Sequence, residues 1–493
     1  MGGASALALA LAVAPEAAAD PALDDPSIAS IDEVVVTARK RSERLRDVPT
    51  AGTALGIEAI REMGGVPTAQ SLLSTTPGVN FANTSNPVTS EVSIRGSGTS
   101  RATNASAGVG LYRNGAYIAG GSIGGRTLSD LDLFDVERIE VLRGVQGGLN
   151  GRNAVGGSVN VVSARPSDRM EGYVVATVGN LGAYEVEGAV NLPINDQWAV
   201  RISGDLKRQD RGFYKLYLLD DYADSQKTDF VRGQVRYANG PFTANLLVEH
   251  GRQRLPGLVY QLINVPSATY PNGLAQDKYN LPWNSPSAGK QQVNTYEFTA
   301  SYDAGFAEIS TISLLRERRG LNAYDRDATS HEFIDSAIAG GFVAPGAIAA
   351  VRSTDYGLGG ASTDFARIFY QDVHLTGAKV GKLVWLAGAE WYLLHDEPRG
   401  VLGRTPTAAN PSPGTINVTS SRLSSYAAYG SLGYDITSTL NLAGDLRVTR
   451  DEEEVDSERL DLRTGAQAGV GFAVNGKRAQ TNVSYTVTIS YKP

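Results

Sequence analysis

The chain has 493 residues, 42% of them hydrophobic and 20% charged, so it is able to bury a large core or to face a membrane. Forty-five Lys and Arg against 52 Asp and Glu leave a net charge of −7 with no basic stripe, which excludes an electrostatic nucleic-acid binder. Cysteine is absent, which rules out disulfides, zinc-thiolate sites, iron–sulfur clusters and cysteine nucleophiles; the four histidines (His250, His331, His374, His395) are widely spaced, so neither a metal site nor a cofactor is expected.

The first elements concern export. Ala6 to Ala14 is a short apolar run, too short to span a bilayer as a helix, followed by an A-x-A pattern ending at Ala19. Residues 1–19 therefore read as a signal peptide. Met1-Gly2-Gly3 lacks the usual basic residues, which a start codon assigned too far downstream would explain; the alternative is an Ala-rich tail. Residues 20–46 read as an extended linker. Within it, Ile31-Asp32-Glu33-Val34-Val35-Val36-Thr37 places an acidic pair before a β-branched run, which suits addition to a partner's sheet and equally suits a first strand of the next domain.

Residues 47–166 read as a compact mixed α/β domain. Gly56–Arg61 and Thr68–Leu73 are expected as short helices, and Val92–Gly96, Val109–Arg113 and Ser158–Val162 as strands. The domain closes on a glycine-dense segment, Ile139 to Pro166. From residue 167 to 493 the pattern becomes one of two-residue alternation: Trp198, Val200, Ile202 and Leu206 against Arg201, Ser203, Asp205 and Lys207, and again at Leu440–Thr449 and Asn482–Tyr491. Such alternation belongs to a lipid-out, lumen-in membrane barrel or to a soluble β-sandwich. Runs of about 10–15 residues and the alternation of short links (Leu192–Asp196, Asp435–Ser438) with long ones (Arg254–Lys290, Gly320–Thr363, Pro398–Ser420) favour the barrel.

In this order the residues resemble the TonB-dependent outer-membrane receptors, from about residue 31 to the end. Ile31–Thr37 resembles their TonB box. Pro77-Gly78-Val79, Ile94-Arg95-Gly96, Ile139–Gly144, Gly151-Arg152-Asn153-Ala154 and Gly156-Gly157 resemble signatures of their plug domain. Departures are Val145 after Arg143-Gly144, Asn150 before Gly151, and Asn114-Gly115 in place of Asp-Gly. The resemblance implies a mainly β fold: an N-terminal mixed α/β plug followed by an antiparallel transmembrane barrel in the outer membrane of a Gram-negative bacterium. It implies outer-membrane lipid, a TonB-type energy-transducing protein and a small-molecule ligand as partners.

A plug in a polar lumen has to be held by bonds that water is able to replace, and arginine offers five fixed donors to wall carboxylates. Arg95 and Arg143 are the expected plug-to-barrel anchors, the alternative for each being a solvated surface arginine. Gly96, Gly144, Gly151, Gly156 and Gly157 are expected as hinge glycines, and with Gly147 and Gly148 allow tight turns or close passage along a wall. A phosphate-binding loop is rejected, because no Lys-Ser/Thr follows and no helix opens.

About twelve barrel strands are counted where the family has ~22, so the chain is expected to be a fragment of a longer receptor or a truncated product that cannot close. The function implied is energised import of a scarce bulky ligand, most commonly an iron–siderophore complex. Cobalamin and glycans remain open, haem is disfavoured by the scattered histidines, and a passive porin or signalling receptor fits less well. Ligand contacts are expected near Ser97–Ser106, Arg113–Ser122 and the outer loops. A secreted β-rich enzyme is the rival class, for which Asp451-Glu452-Glu453-Glu454 would be the acidic cluster; at a strand end it reads rather as a solvated loop rim.

Overall fold

The computed structural model describes Leu7–Leu11 and most of residues 35–491; the longest intervals not described within the latter are 61–74, 84–89, 99–107, 120–132, 260–278, 326–358 and 404–413. After β1 (Leu7–Leu11), β2 (Val35–Val36) and β3 (Glu43–Arg44) form a short hairpin. Then come β4 (Gly52–Gly56), β5 (Val79–Asn83), β6 (Ser90–Ile94), β7 (Val109–Arg113), β8 (Ala116–Tyr117), β9 (Val136–Arg143) and β10 (Gly157–Ser163). Strands β5 and β6 make a separate hairpin, and the others form a sheet in the order β4-β9-β10-β7-β8, with β10 parallel to β7.

Every residue of β7 and β10 is buried. A strand reaches that state only when both its faces are covered. One core cluster explains it, because Ile94, Leu111, Ile139, Val141, Val159 and Val161 of this sheet domain join Leu314, Ile368, Tyr370, Tyr392 and Leu394 of the large sheet. The small domain is thus packed against the wall of the large one. Of the two expected helices, Gly56 ends β4, while Ile57 and Ile60 are helical; Thr68–Leu73 lies outside the described residues.

The large sheet is a meander. Its strands are β11 (Glu171–Val178), β12 (Tyr184–Pro193), β13 (Trp198–Gln209), then, beyond β14 (Lys215–Leu216) and β15 (Asp221–Tyr222), β16 (Gln226–Asn239) and β17 (Phe242–Pro256). After β18 (Asn280–Leu281) follow β19 (Ala288–Asp303), β20 (Ala307–Asp325), β21 (Gly359–Gly377), β22 (Leu383–Asp396), the short β23 (Arg399–Gly403), β24 (Gly414–Asp435), β25 (Leu440–Asp461) and β26 (Val474–Tyr491). Leaving aside β1 and β23, twelve strands pair antiparallel in sequence order, as the sequence indicated.

The partition of side chains decides between barrel and sandwich. Val231 (52% exposed), Leu246 (47%) and Tyr296 (45%) point outward, whereas Arg201, Arg232, Glu249, Asp372, Glu390 and Arg447 are buried on the inner face. Apolar-out and charged-in is the partition of a strand wall standing in lipid around a polar lumen. One end of the sheet carries only tight links, between β12 and β13, β16 and β17, β19 and β20, β21 and β22, and β24 and β25. That end is the periplasmic one, and the end with long connections faces outward. Trp198, Tyr237, Tyr302, Phe306 and Tyr434 gather near the tight-turn end, with the Trp198 and Tyr237 rings 4.7 Å apart, as in an interfacial girdle.

Two expectations change. Strands β20, β21, β24 and β25 run 19 to 22 residues, well past the ~9–11 that cross a bilayer, so the ends of the stretches expected as long loops (Gly320–Asp325, Gly359–Thr363 and Gly414–Ser420) are strand rising above the membrane. Asp451–Glu454 accordingly lies inside β25, where Glu454 meets Lys477 of β26 at 2.7 Å, and is no loop rim. Leu7–Leu11, expected in the signal peptide, lies antiparallel along Val174–Val178 of β11. An edge strand presents unpaired N–H and C=O groups that an apolar extended run satisfies. Among the described residues β26 pairs with β25 alone.

Candidate functional site

The region of interest begins where the chain turns after β2. Lys40 adopts φ 60°, its amide donates to the Thr37 carbonyl at 3.0 Å, and this turn aims its side chain into the wall. The ammonium lies 2.7 Å from Asp372 Oδ2, 3.4 Å from Glu390 Oε2 and 3.1 Å from the Tyr370 hydroxyl. Asp372 also accepts the Tyr429 hydroxyl at 2.7 Å and faces His374 Nδ1 at 2.6 Å, while Glu390 accepts from Arg447 Nη2 at 2.6 Å. Two carboxylates and two cations are buried together. A buried ion pair survives only with such additional hydrogen bonds to offset desolvation.

Three residues earlier the same segment is tied to the small domain instead. The Thr37 amide and hydroxyl donate to Glu140 Oε1 at 2.8 and 3.2 Å, and Glu140, wholly buried on β9, is also held by Arg138 Nε at 2.8 Å and Asn160 Nδ2 at 3.0 Å. The segment from residue 35 to 40 therefore bridges plug and wall.

A second set of bonds fixes the far side of the plug. Arg113 Nη1 donates to Glu249 Oε1 at 2.6 Å, and Arg232 of β16 donates its Nε to the other oxygen at 2.7 Å and lies over the Phe134 ring at 4.2 Å. Asn114 Nδ2 reaches Glu297 at 2.8 Å, and Asp135 accepts from Arg201 Nε at 2.9 Å. Between the plug strands β7 and β10 and the wall strands β17 to β21 lies a cavity of about 550 Å³, lined by neutral polar groups such as Asn114, Asn160, Asn245 and Thr299 together with charged ones, among them Lys40, Glu137, Arg138, Arg165 and Glu308.

Of the expected box, Val35 and Val36 form β2 and Thr37 is anchored as above; Ile31, Asp32, Glu33 and Val34 lie outside the described residues. The expected anchors act elsewhere. Arg95 is exposed with φ 52°, its backbone amide bonding Gly78, and Arg143 Nη1 donates to the Pro77 carbonyl at 2.9 Å, so it ties the plug to itself. Among the described residues the wall ion pairs belong to Lys40, Arg39, Arg113 and Asp135. The glycine segment does pass close to the wall: a Cβ on Gly151, where φ is 78°, would sit 2.5 Å from Arg447 Cζ. Gly157 (φ 149°) is pressed on the Leu142 carbonyl, Gly156 on Ser97, and Gly96 and Gly144 have positive φ.

Arg113–Gly115, expected among apical ligand loops, instead turns toward the tight-turn half of the wall, meeting Glu249, Glu297 and Ile312. Of the other expected plug loop, only Ser97 and Gly98 are described. Lys40, Asp372, Glu390, Glu249 and Arg447 escaped the sequence reading. The available signal was that Tyr370, Asp372 and His374 share one strand face with the apolar Ile368, which puts charge on the side turned toward the plug.

Residues 44–158 match the model of the TonB-dependent Receptor Plug Domain family. The pesticin receptor of Yersinia pestis is 30% identical over 178 residues, 36% of this chain and 25% of that protein. The vitamin B12 transporter BtuB of Photobacterium profundum is 29% identical over 161 residues, 33% of this chain and 25% of that protein. Among solved structures, the ferric yersiniabactin uptake receptor FyuA from Yersinia pestis superposes with a TM-score of 0.72 at 17% identity, over 90% of this chain and 62% of its own length. The siderophore receptor PiuA from Acinetobacter baumannii gives 0.67 at 16% identity, over 94% and 65%. The chain thus spans less than two thirds of these receptors. Residues 44–158 thus belong to the TonB-dependent receptor plug domain family, and the chain as a whole, with this plug packed against a lipid-facing antiparallel wall, has the fold of the TonB-dependent outer-membrane receptors.

Proposed function

We propose that the chain takes part in energised uptake of a ferric siderophore, with the plug displaced by a TonB-type protein that draws on Ile31–Thr37. The supporting observation is the bridge made by residues 37 and 40. Tension applied upstream reaches Thr37–Glu140 and then Lys40–Asp372 and Lys40–Glu390, bonds to charged and hydroxyl groups that water replaces once they open. Loosening Lys40 removes a side chain from the edge of the cavity between plug and wall. Its lining of amides, hydroxyls and charges of both signs offers hydrogen bonds to a hydrophilic cargo. A siderophore is preferred because the matched relatives include pesticin and ferripyoverdine receptors. Cobalamin is the second reading, on the likeness to a vitamin B12 transporter.

The test is radio-iron uptake from a panel of ferric siderophores, with labelled cyanocobalamin alongside, by cells lacking their own receptors and expressing the protein. Siderophore uptake abolished by removing the proton-motive force or by deleting residues 31–37 supports the proposal. Uptake of cobalamin alone shifts the cargo to the second reading, and uptake indifferent to both treatments overturns energised transport.

A further inference from the structure

Beyond the plug contacts, toward the outer end, the inner face of the wall carries two pairs of glutamines. Gln209 of β13 stands opposite Gln226 of β16, and Gln253 of β17 stands opposite Gln291 of β19. Each shares a strand face with a residue that meets the plug: Gln209 with Arg201, Gln226 with Arg232, Gln253 with Glu249 and Gln291 with Glu297. Gln253 lies two rows beyond Glu249, or ~14 Å further along the strand. A ligand entering from outside therefore reaches these amides before it reaches the plug ties.

The two pairs differ in how they are bonded. Gln226 Nε2 donates to Gln209 Oε1 at 3.0 Å, and Gln209 Nε2 donates to the Arg211 carbonyl at 3.1 Å, so the first pair answers itself. Gln291 is 4% exposed, yet among the described residues neither its Nε2 nor its Oε1 has a hydrogen-bond partner, and the Oε1 of Gln253 has none either. Leaving a buried amide unbonded costs stability, so native proteins keep few such groups and each asks for a cause. Gln253 is only half-buried, which keeps the row open to the lumen.

The neighbours on this row leave room and add no net charge. Gly320 stands opposite Gln291 on β20, where a Cβ would sit 2.1 Å from Asp364 Oδ1, and Thr228 stands opposite Gln253 on β16. Arg318 Nε donates to Asp364 Oδ2 at 3.0 Å, and on the far side of Thr228 the Lys207 ammonium meets Glu185 at 3.2 Å, so the ions are answered among themselves. What remains is one donor group and two acceptors, all neutral. Their complement is a group with one N–H and one C=O, an amide.

We propose that Gln253 and Gln291 bind an amide of the cargo, its N–H donating to a glutamine Oε1 and its C=O accepting from Gln291 Nε2, so that the protein selects amide-bearing ligands. This rests on the reading of the chain as part of an uptake receptor. Two sources carry the chemistry, the peptide backbone of an iron chelate and the amide side chains of cobalamin, and the test separates them.

The experiment is equilibrium binding to the purified, detergent-solubilised full chain. The probes are ferrichrome and ferric pyoverdine as peptidic chelates, cyanocobalamin, and ferric citrate as a chelate without amides. Wild type should bind at least one of the three amide-bearing probes, which names the source. Gln253→Leu/Gln291→Leu should bind that probe about tenfold more weakly and leave ferric citrate binding unchanged. The same variant should melt no lower than wild type, since no bond within the protein is lost. Gln209→Leu/Gln226→Leu should keep wild-type affinity. Should the first double variant not fold, Gln291→Met takes its place, with the same loss of affinity in smaller measure. Undiminished affinity, equal weakening of ferric citrate, or a lower melting transition in a variant that folds would each overturn the proposal. Binding of ferric citrate alone would overturn it while leaving uptake in place as the function, and binding of none of the four probes would overturn it together with that reading.

Discussion

Lys40 Nζ lies 2.7 Å from Asp372 Oδ2, joining a turn three residues after Thr37 to the wall strand β21, 332 residues later. Both groups are buried, so removing one leaves the other's charge without its partner, a loss of roughly 3–5 kcal/mol for a buried pair. Lys40→Met should therefore free the N-terminal segment. Because the chain has no cysteine, Thr37→Cys supplies a single thiol whose labelling rate reads that release. Labelling should be faster in the Lys40→Met background, and the double change Lys40→Met with Asp372→Asn should recover part of the protection. Identical rates in all three backgrounds would show that Lys40 does not hold the segment.

Gly151 should tolerate no side chain. Its φ is 78°, and a Cβ would meet the Arg447 guanidinium, which is itself engaged with Glu390. Gly182 makes the comparison, with φ 71° and nothing within 4 Å of a Cβ. Gly182→Ala should cost only the backbone strain of about 1 kcal/mol, whereas Gly151→Ala adds displacement of a buried arginine. Limited proteolysis of the plug should then be clearly faster for Gly151→Ala than for Gly182→Ala. Equal rates would mean that Arg447 shifts at little cost.

Glu249 serves two cations, Arg113 of the plug and Arg232 of the wall. Glu249→Gln leaves both guanidinium groups facing each other, while Arg113→Gln leaves Glu249 still paired with Arg232. The first change should therefore destabilise the plug–wall contact more than the second, by about 1–3 kcal/mol for a group left uncompensated. In thermal unfolding followed by plug protease sensitivity, Glu249→Gln should melt lowest, and adding Arg113→Gln to it should raise the transition. The reverse order of the two single variants would refute this assignment of roles.

The barrel was legible because its signal is repetitive. Every wall strand restates the same alternation, and Trp198–Leu206 or Asn482–Tyr491 alone carries the period. Alternation gives the faces but not which face is inside. Where a face mixes apolar and charged residues, as with Ile368, Tyr370, Asp372 and His374, only the tertiary fold shows that the charges meet the plug. The anchors were misread for a related reason. Arg95 and Arg143 stand in recognisable motifs, but the partner of an arginine depends on long-range placement, and Arg143 finds a carbonyl 66 residues away within its own domain. Lys40 stood in no motif, and its partners Tyr370 and Asp372 lie 330 and 332 residues on, so no local pattern marks it. Strand length failed for a different reason: polar residues above the membrane pair as well as apolar ones within it, so β24 and β25 continue through sequence that reads as loop.

The outer loops should detach in acid through Asp221. Partial burial opposes ionisation of its carboxyl, but the bonds from Arg254 at 2.5 Å and from the Tyr222 amide at 2.8 Å prevail and hold it below the ordinary carboxylate range. With the folded value depressed, the stabilisation is fully present above the unfolded value, near pH ~4, and is lost as pH falls through the lower folded one. Asp221 begins β15, which pairs with β14, and β14 pairs with β18 beside the fully buried Trp283, so losing this tie loosens the small core of Leu216, Ala223, Leu281 and Trp283. Trp283 emission should shift red below pH ~4 and stay unchanged above it. The contribution is isolated as the difference between the protein and its Trp283→Phe variant. In Asp221→Asn the acid-dependent part of the shift should disappear, since no proton is left to bind. A shift that persists in Asp221→Asn would assign the acid sensitivity to another group and remove Asp221 as the anchor of the loop.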